Sequence, residues 1–352
     1  MISSVLALAD DMTGALEVGA KFSGAGLSSI VSATPISNPS VEVVVLDTET
    51  RHVSAERAAA EVRRFVLDSG MVRPRLVYKK TDSTLRGNIS VELQVLAELY
   101  PDWRIGYAPA YPALGRTVRD GVLYVDGIAL EHTVFARDPL NPVRQSSIRA
   151  MLPADLACTV FDGETDAHLR EAMRSILADP SMRIAAGPAG LAEMIAGEID
   201  APRAAPPALP AVRICLLMNG SLHERSAIQM SRAEGPGWKI LRKEYEPGAD
   251  PVRVARENGK YLVEQIVTND PDSVFVIGGD TAFAVIAELG FPPLFPLAEV
   301  AVGVPVTRIE AAAIREFVPG RTRDLVLITK AGGFGDPNLI ERVRQKLGTH
   351  AQ

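Results

Sequence analysis

The stretch RLVYKKTDSTLRGNISVELQVLAEL, residues 75–99, decides how the chain is read. It opens as a short β-rich run ending in a charged segment, passes through Gly87 and Asn88, which suit a turn, and closes with the apolar spacing of a helix. A strand, a polar loop and a covering helix make the repeating unit of a parallel sheet. The unit recurs on both sides. SVLALAD and VEVVVLDTE read as strands, SAERAAAEVRRFVLDSG as a helix, and the later strands VRICLLMNGS, SVFVIGGD and DLVLITKAGG each end in Gly or a small polar residue. The expected fold class is α/β, with two α/β domains of mostly parallel sheet and a cleft between them. DAPRAAPPALPA has neither helical nor strand periodicity, which places a linker at 201–211 between domains 1–200 and 212–348.

Composition narrows the function. The 352 residues are 47% hydrophobic and 23% charged, as in a folded globular chain, and Lys+Arg 37 against Asp+Glu 43 gives a net charge of −6. That balance argues against nucleic acid and basic membrane-surface binding, so an anionic ligand must be met by local design. No apolar run approaches the ~20 residues that span a bilayer. The N-terminus reads as a first strand without a basic region before it, not as a signal peptide. Cys158 and Cys215, far apart, imply no disulfide framework, so a reducing cytoplasm fits. The five histidines have no ligand spacing, and neither a zinc site nor a G-x-S-x-G elbow is present.

In open α/β sheets polar clusters at the carboxyl ends of strands outweigh polar residues elsewhere. Asp10 and Asp11 stand at such an end before Thr13 and Gly14, where helix capping and a ligand role are equally good readings. DTETR ends in Arg51, which could clamp a carboxylate or lie on the surface. The densest cluster is YKKTDSTLRGNIS, with Lys79, Lys80, Asp82, Ser83, Thr84 and Arg86 crowding one strand end. Period two puts Lys80 and Asp82 on one face. Such a group favours an anionic polyol over a plain solvated loop. Arg116, Glu131, Thr133, Asp138 and Asp162 read more readily as ordinary loop residues. In the second half, Asn219–Gly220–Ser221, Gly278 to Ala282 and Thr329 to Asp336 are three glycine-bearing strand ends able to offer backbone N–H groups to phosphate. Neither a P-loop nor the dinucleotide fingerprint occurs.

Taken in order, ADDMTGA, DTETR, KKTDSTLRGN, APAYPALGRTVRDG, LEHTVFARDP, DGETD, GPAGLA, NGS, GGDTA, EVAVGVP and KAGGFG resemble the four-carbon acid sugar kinases, which phosphorylate threonate, erythronate or 3-oxo-tetronate. The resemblance covers almost the whole chain. It implies an N-terminal domain for the sugar acid, a C-terminal domain for ATP with Mg²⁺, and catalysis in the cleft. Asp10, Asp11, Arg51, Lys80, Asp82, Thr84 and Arg86 would surround the sugar acid. Ser221, Gly278, Gly279, Asp280, Thr281, Gly303, Gly332 and Gly333 would contact ATP. The segment between the serine loop and GGDTA is shorter than is usual for the family, and no metal ligand is assigned.

Phosphoryl transfer needs alignment, charge neutralisation and a proton acceptor. Arg51 or Arg86 would grip the carboxylate, Lys80 would offset developing charge, and Asp11 or Asp82 would take the proton. A hydroxy-acid dehydrogenase or a non-catalytic sugar-acid sensor would share these clefts. The first would need a nicotinamide fingerprint, and the second would not need the carboxylates. The expected partner is a small-molecule sugar acid, and a homo-oligomer is compatible with the chain.

Overall fold

The structure, a computed structural model, describes residues 4–36, 39–71, 73–138, 141–221, 223–233, 235–246 and 248–348; Leu222 of the serine loop and His350 lie outside these. The first half begins β1 (Val5–Ala9), α1 (Met12–Gly24), β2 (Ser29–Ser32), β3 (Val43–Asp47), α2 (Ala55–Asp68), β4 (Leu76–Lys80), α3 (Ile89–Leu99) and β5 (Ile105–Tyr107). A small antiparallel sheet follows, made of β6 (Arg116–Arg119), β7 (Val122–Val125) and β8 (Ile128–Ala129). Then come α4 (Ile148–Met151), β9 (Cys158–Val160), α5 (Asp166–Ala178), β10 (Ile184–Gly187) and α6 (Ala189–Glu198). The second half contains β11 (Cys215–Asn219), α7 (Glu224–Ser231), β12 (Trp238–Leu241), α8 (Pro251–Asn269), β13 (Ser273–Ile277) and α9 (Gly279–Glu288). It ends with β14 (Leu294–Ala301), β15 (Val304–Ile309), β16 (Leu325–Lys330) and α10 (Leu339–Gly348).

The expected α/β class holds, with helices on a mostly parallel sheet. VLALA of β1 and VVVLD of β3 are buried throughout, because a parallel sheet covered on both faces has no wet side. α2 buries Ala58, Val62, Phe65 and Val66, one stripe at helical spacing, and Ser54 caps it by accepting from Arg57 N. The strand order is β12-β11-β13-β16-β15-β14-β2-β3-β1-β4-β10-β5-β9. Two parallel blocks are therefore joined through the antiparallel hairpin β14–β15, which meets the first block at Leu294 opposite Val31. Bulges at Pro296/Ala298 and Glu299/Ala301 bend this ribbon. α1 lies so close on it that a Cβ on Gly19 would stand 2.6 Å from Pro296 Cγ.

Residues 201–211 form neither helix nor strand. They are tied to the first block, with Ala204 N donating to Gly26 O and the Arg203 guanidinium donating to the carbonyls of Ala25, Ala196, Gly197 and Ile199. No helix among the described residues is long and apolar enough to cross a membrane.

Candidate active site

Three adjacent strands of the first block, β3, β1 and β4, end beside one another, and the residues after them converge. Arg51 is the hub. Its Nε and Nη2 donate to the two oxygens of Asp10 at 2.8 Å each, its Nη1 donates to Asp11 Oδ2 at 2.8 Å, and Nη2 lies 3.8 Å from Asp82 Oδ1. Arg86 makes a second fork, with Nε and Nη2 on Asp82 at 3.0 and 2.9 Å and Nη1 on Asp138 at 3.1 Å. Burial alone would raise Asp10, but Arg51, with Lys79 and Lys80 behind it, outweighs burial and holds the carboxyl at about 2. Asp82 is also buried, and Arg86, Arg51 and Lys80 keep it well below the usual carboxylate range. Thr84 donates to Asp82 through both its N and its Oγ1, so it holds that carboxylate in place. Gly87, at φ +86°, passes so close that a Cβ would sit 3.1 Å from Asp10 Oδ2.

Asp11 fills both roles that the sequence left open. Its Oδ1 caps α1 by accepting from Gly14 N at 3.0 Å, and its Oδ2 accepts from Thr13 Oγ1 at 2.6 Å and from Arg51. The two lysines of β4 part company, as a two-residue period requires. Lys79 Nζ lies 2.8 Å from Glu92 Oε2 of α3, both side chains at most 1% exposed, with an angle that falls short of a hydrogen bond. It ties α3 to the sheet, away from the cluster. Lys80 is 5% exposed, and among the described residues its Nζ has neither a hydrogen-bond nor an ion-pair partner. It lies next to Asp11, since the point a Cβ on Gly14 would occupy is 2.6 Å from Asp11 Oδ1 and 2.9 Å from Lys80 Nζ.

On the second block, the loops after β11, β13 and β16 pack against one another without room for side chains. A Cβ on Gly220 would be 1.9 Å from Thr281 Oγ1, and one on Gly332 would be 1.9 Å from Ser221 Oγ. Gly278, at φ +111°, donates its N–H to Lys330 O at 2.9 Å. Gly303 joins them from the hairpin turn, at φ +70° and with its Cβ position 2.6 Å from the Phe334 ring. Thr281 is buried under the loops, and Asp280 stands in the first turn of α9. That helix start meets the first block directly, for a Cβ on Gly279 would lie 3.2 Å from Thr13 Oγ1 and 3.4 Å from Asp11 Oδ2. The structure thus gathers the sequence-predicted residues into two groups that touch at Asp11 and Gly279.

Sequence reading passed over three residues here. Asp47 is buried and Glu49 half-buried beside Asp11, and Asp47 Oδ2 and Glu49 Oε2 are inaccessible with no hydrogen-bond partner among the described residues. Burial, with Asp11 beside it, pushes Asp47 up to about 8; burial, then Asp47, Asp11 and Asp280, push Glu49 well above its ordinary value. Their position at the end of β3 was the available signal. Lys330, inside the quoted TKAGGFGD, ends β16 completely buried.

Two family models match this chain, a sugar-binding N-terminal domain over residues 5–159 and a nucleotide-binding C-terminal domain over 242–340. The D-threonate kinase of Bordetella bronchiseptica is 28% identical over 97% of this chain and 96% of its own. The D-erythronate kinase of Heliobacterium modesticaldum is 34% identical over 44% of this chain and 36% of its own. Among solved structures, a Haemophilus influenzae protein shares the fold at TM-score 0.69 and 17% identity, covering 97% of this chain and 100% of that one. A Bordetella bronchiseptica structure described as a domain-swapped dimer with bound citrate matches at TM-score 0.52 and 26% identity, over 98% of both chains. With sugar-binding and nucleotide-binding halves in this order and near full-length likeness to such kinases, the chain belongs to the four-carbon acid sugar kinase family.

Proposed function

We propose that this phosphotransferase moves the γ-phosphoryl group of ATP to a hydroxyl of a four-carbon sugar acid such as threonate or erythronate, with Asp11 as proton acceptor. The observation that carries the reading is the place of Asp11. It lies between the start of α9, where phosphate would rest on N–H groups, and the ammonium of Lys80, which has no partner among the described residues. A substrate oxygen seated between Asp11 Oδ1 and Lys80 Nζ would have an acceptor for its proton and a cation for the charge it develops. Asp82 is the weaker candidate for the base, because two Arg86 bonds and two Thr84 bonds already occupy its oxygens.

Arg51 and Arg86 act through these carboxylates in the present arrangement. Each guanidinium keeps N–H groups beyond those it shares with the aspartates, and these suit a substrate carboxylate. The citrate held by the Bordetella relative is a hydroxy acid of similar chemistry. Ser221, Gly278 to Thr281, Gly303, Gly332 and Gly333 would surround the nucleotide phosphates. Residues 1–200 and 212–348, joined by 201–211, would be the substrate and nucleotide halves.

Mg²⁺ accompanying ATP fits the donors present. Among the described residues no group of three or more His, Cys, Asp or Glu could hold a metal, but Mg²⁺ needs only one or two carboxylates besides phosphate oxygens and water. Asp47 and Glu49, with orphaned buried oxygens, would hold it with Asp280 nearby, and it would neutralise phosphate charge.

The test is ADP release by the purified chain with ATP, Mg²⁺ and a panel of four-carbon sugar acids. Turnover with at least one acid, reduced at least a hundredfold in Asp11→Asn, is expected. No turnover with any acid and no ATP binding by calorimetry would sink the assignment, and a fully active Asp11→Asn would remove Asp11 from the role of base. Gel filtration at several concentrations reads whether this chain self-associates, as the dimeric relative does.

A further inference from the structure

The loop after β16 has an unusual interior. Lys330 is completely buried, and its ammonium donates to the carbonyls of Ala331 at 2.7 Å, Gly332 at 3.0 Å and Phe334 at 3.0 Å. α7 bonds two of these carbonyls and two of their neighbours. Ser226 Oγ donates to Gly332 O at 2.8 Å, Gln229 Nε2 donates to Phe334 O and Asp336 O at 2.9 Å, and Arg225 Nη1 approaches Gly333 O at 3.4 Å. The amides of Gly332, Gly333 and Gly335, by contrast, donate to no acceptor among the described residues. Carbonyls face in and amides are left over, which is the arrangement of an anion-binding nest. The main chain of Lys330 serves the neighbouring loop as well, because its carbonyl accepts from Gly278 N at 2.9 Å at the entry to α9.

We propose that Lys330 is the positioning residue of the nucleotide-phosphate site, its ammonium turning the carbonyls of Ala331, Gly332 and Phe334 inward so that the amides of this loop are held toward the phosphates. The inference rests on the ATP reading above. All three ammonium donors are used on carbonyls, so Lys330 acts through the loop and does not touch the ligand.

Burial, then Arg225, bring the ammonium down to about 7, and among the described residues no carboxylate pairs with it. His223, the N-cap of α7, is the other titratable group that feels this ammonium, and Asp336, further along the loop, is turned to Arg342 of α10. Phosphates seated on the loop would raise the Lys330 ammonium again, so at pH 7.5 nucleotide binding should draw in part of a proton.

Two readouts test this. In steady-state kinetics Lys330→Met should raise the KM for ATP at least tenfold while the sugar-acid KM changes less than about twofold. Lys330→Arg should not restore it, because a planar fork cannot meet three carbonyls around one nitrogen. Calorimetry of ADP binding to the unaltered chain, in buffers of different ionisation enthalpy at pH 7.5, should show proton uptake that Lys330→Met loses and His223→Gln keeps. This second readout needs no variant to fold for its first half, and absence of uptake overturns the inference. So do equal changes in both KM values, or an unchanged KM for ATP. A wild-type chain that binds no nucleotide at all overturns the ATP reading with it, whereas binding indifferent to residue 330 overturns this inference alone.

Discussion

Arg51→Met separates what Arg51 does for the fold from what it does for the site. Asp10 is 1% exposed and owes its ionised state to Arg51, which supplies both of its side-chain hydrogen bonds. Holding its carboxyl at about 2 against an ordinary 3.8 corresponds to roughly 2.5 kcal/mol, at about 1.36 kcal/mol per pH unit. Removing Arg51 forfeits that and leaves Asp10 and Asp11 without their shared counter-charge, so the expected loss is about 3–5 kcal/mol. Urea unfolding followed by circular dichroism would measure it. Asp10→Asn added to Arg51→Met should recover most of the stability, because no buried charge is then stranded, yet turnover should stay lost. The sign with pH follows from the depressed carboxyl. Its stabilisation is complete above 3.8 and disappears as pH falls through about 2, so wild type and the double variant should converge in acid. A double variant no more stable than Arg51→Met at pH 7, or an Arg51→Met loss below about 1 kcal/mol, would refute the reasoning.

Gly14→Ala should abolish turnover, since its Cβ would stand 2.6 Å from Asp11 Oδ1 and 2.9 Å from Lys80 Nζ and force one of them to move; a variant with wild-type kcat would show that this gap is not where substrate sits. Lys79→Met should cost about 3–5 kcal/mol by stranding Glu92, whereas Lys80→Met should keep the melting temperature and lose activity, a contrast that differential scanning calorimetry beside the ADP assay reads directly. Burial, with Glu17 beside it, raises Glu299 to about 8, so the stability it contributes is present below its ordinary 4.5 and lost as pH rises through 8. Glu299→Gln should therefore raise the urea midpoint at pH 8.5 and leave it nearly unchanged at pH 5; a lower midpoint at pH 8.5 would mean that the ion pair to Lys21 outweighs burial.

Legibility in the sequence followed the range of the interaction. Lys80 and Asp82 could be put on one face because strand alternation is local, and the same alternation sends Lys79 to the other face. What Lys79 meets there is Glu92, which reads as one more polar residue in SVELQVLAEL until α3 is docked. Asp47 stood at a strand end like Asp10, but its importance comes from an oxygen left without a partner, and only packing reveals that. In TKAGGFGD the glycines announce a loop, while the lysine that organises their carbonyls looks like any strand-end cation.

The hairpin is the clearest case of a global feature hidden by local chemistry. FPPLFPLAEVAVGVPVTRI, residues 291–309, carries prolines that argue against interior strands, because each removes a ladder donor. Pro296 is accommodated at a bulge of the hairpin that stands between the two parallel blocks in the one sheet. Three contacts then depend on one ribbon: Pro296 against Gly19 of α1, Glu299 paired with Lys21 of α1, and Gly303 against Phe334 of the GGFG loop. Asp11 caps α1, so the helix that the candidate base heads and the loop that would hold phosphate are braced by the same two strands. A linker at 201–211 marks where the two halves separate in sequence, but it is 294–309 that fixes their distance in space. That is why a Cβ on Gly279 would stand 3.4 Å from Asp11 Oδ2 although 268 positions (279 less 11) separate the two along the chain.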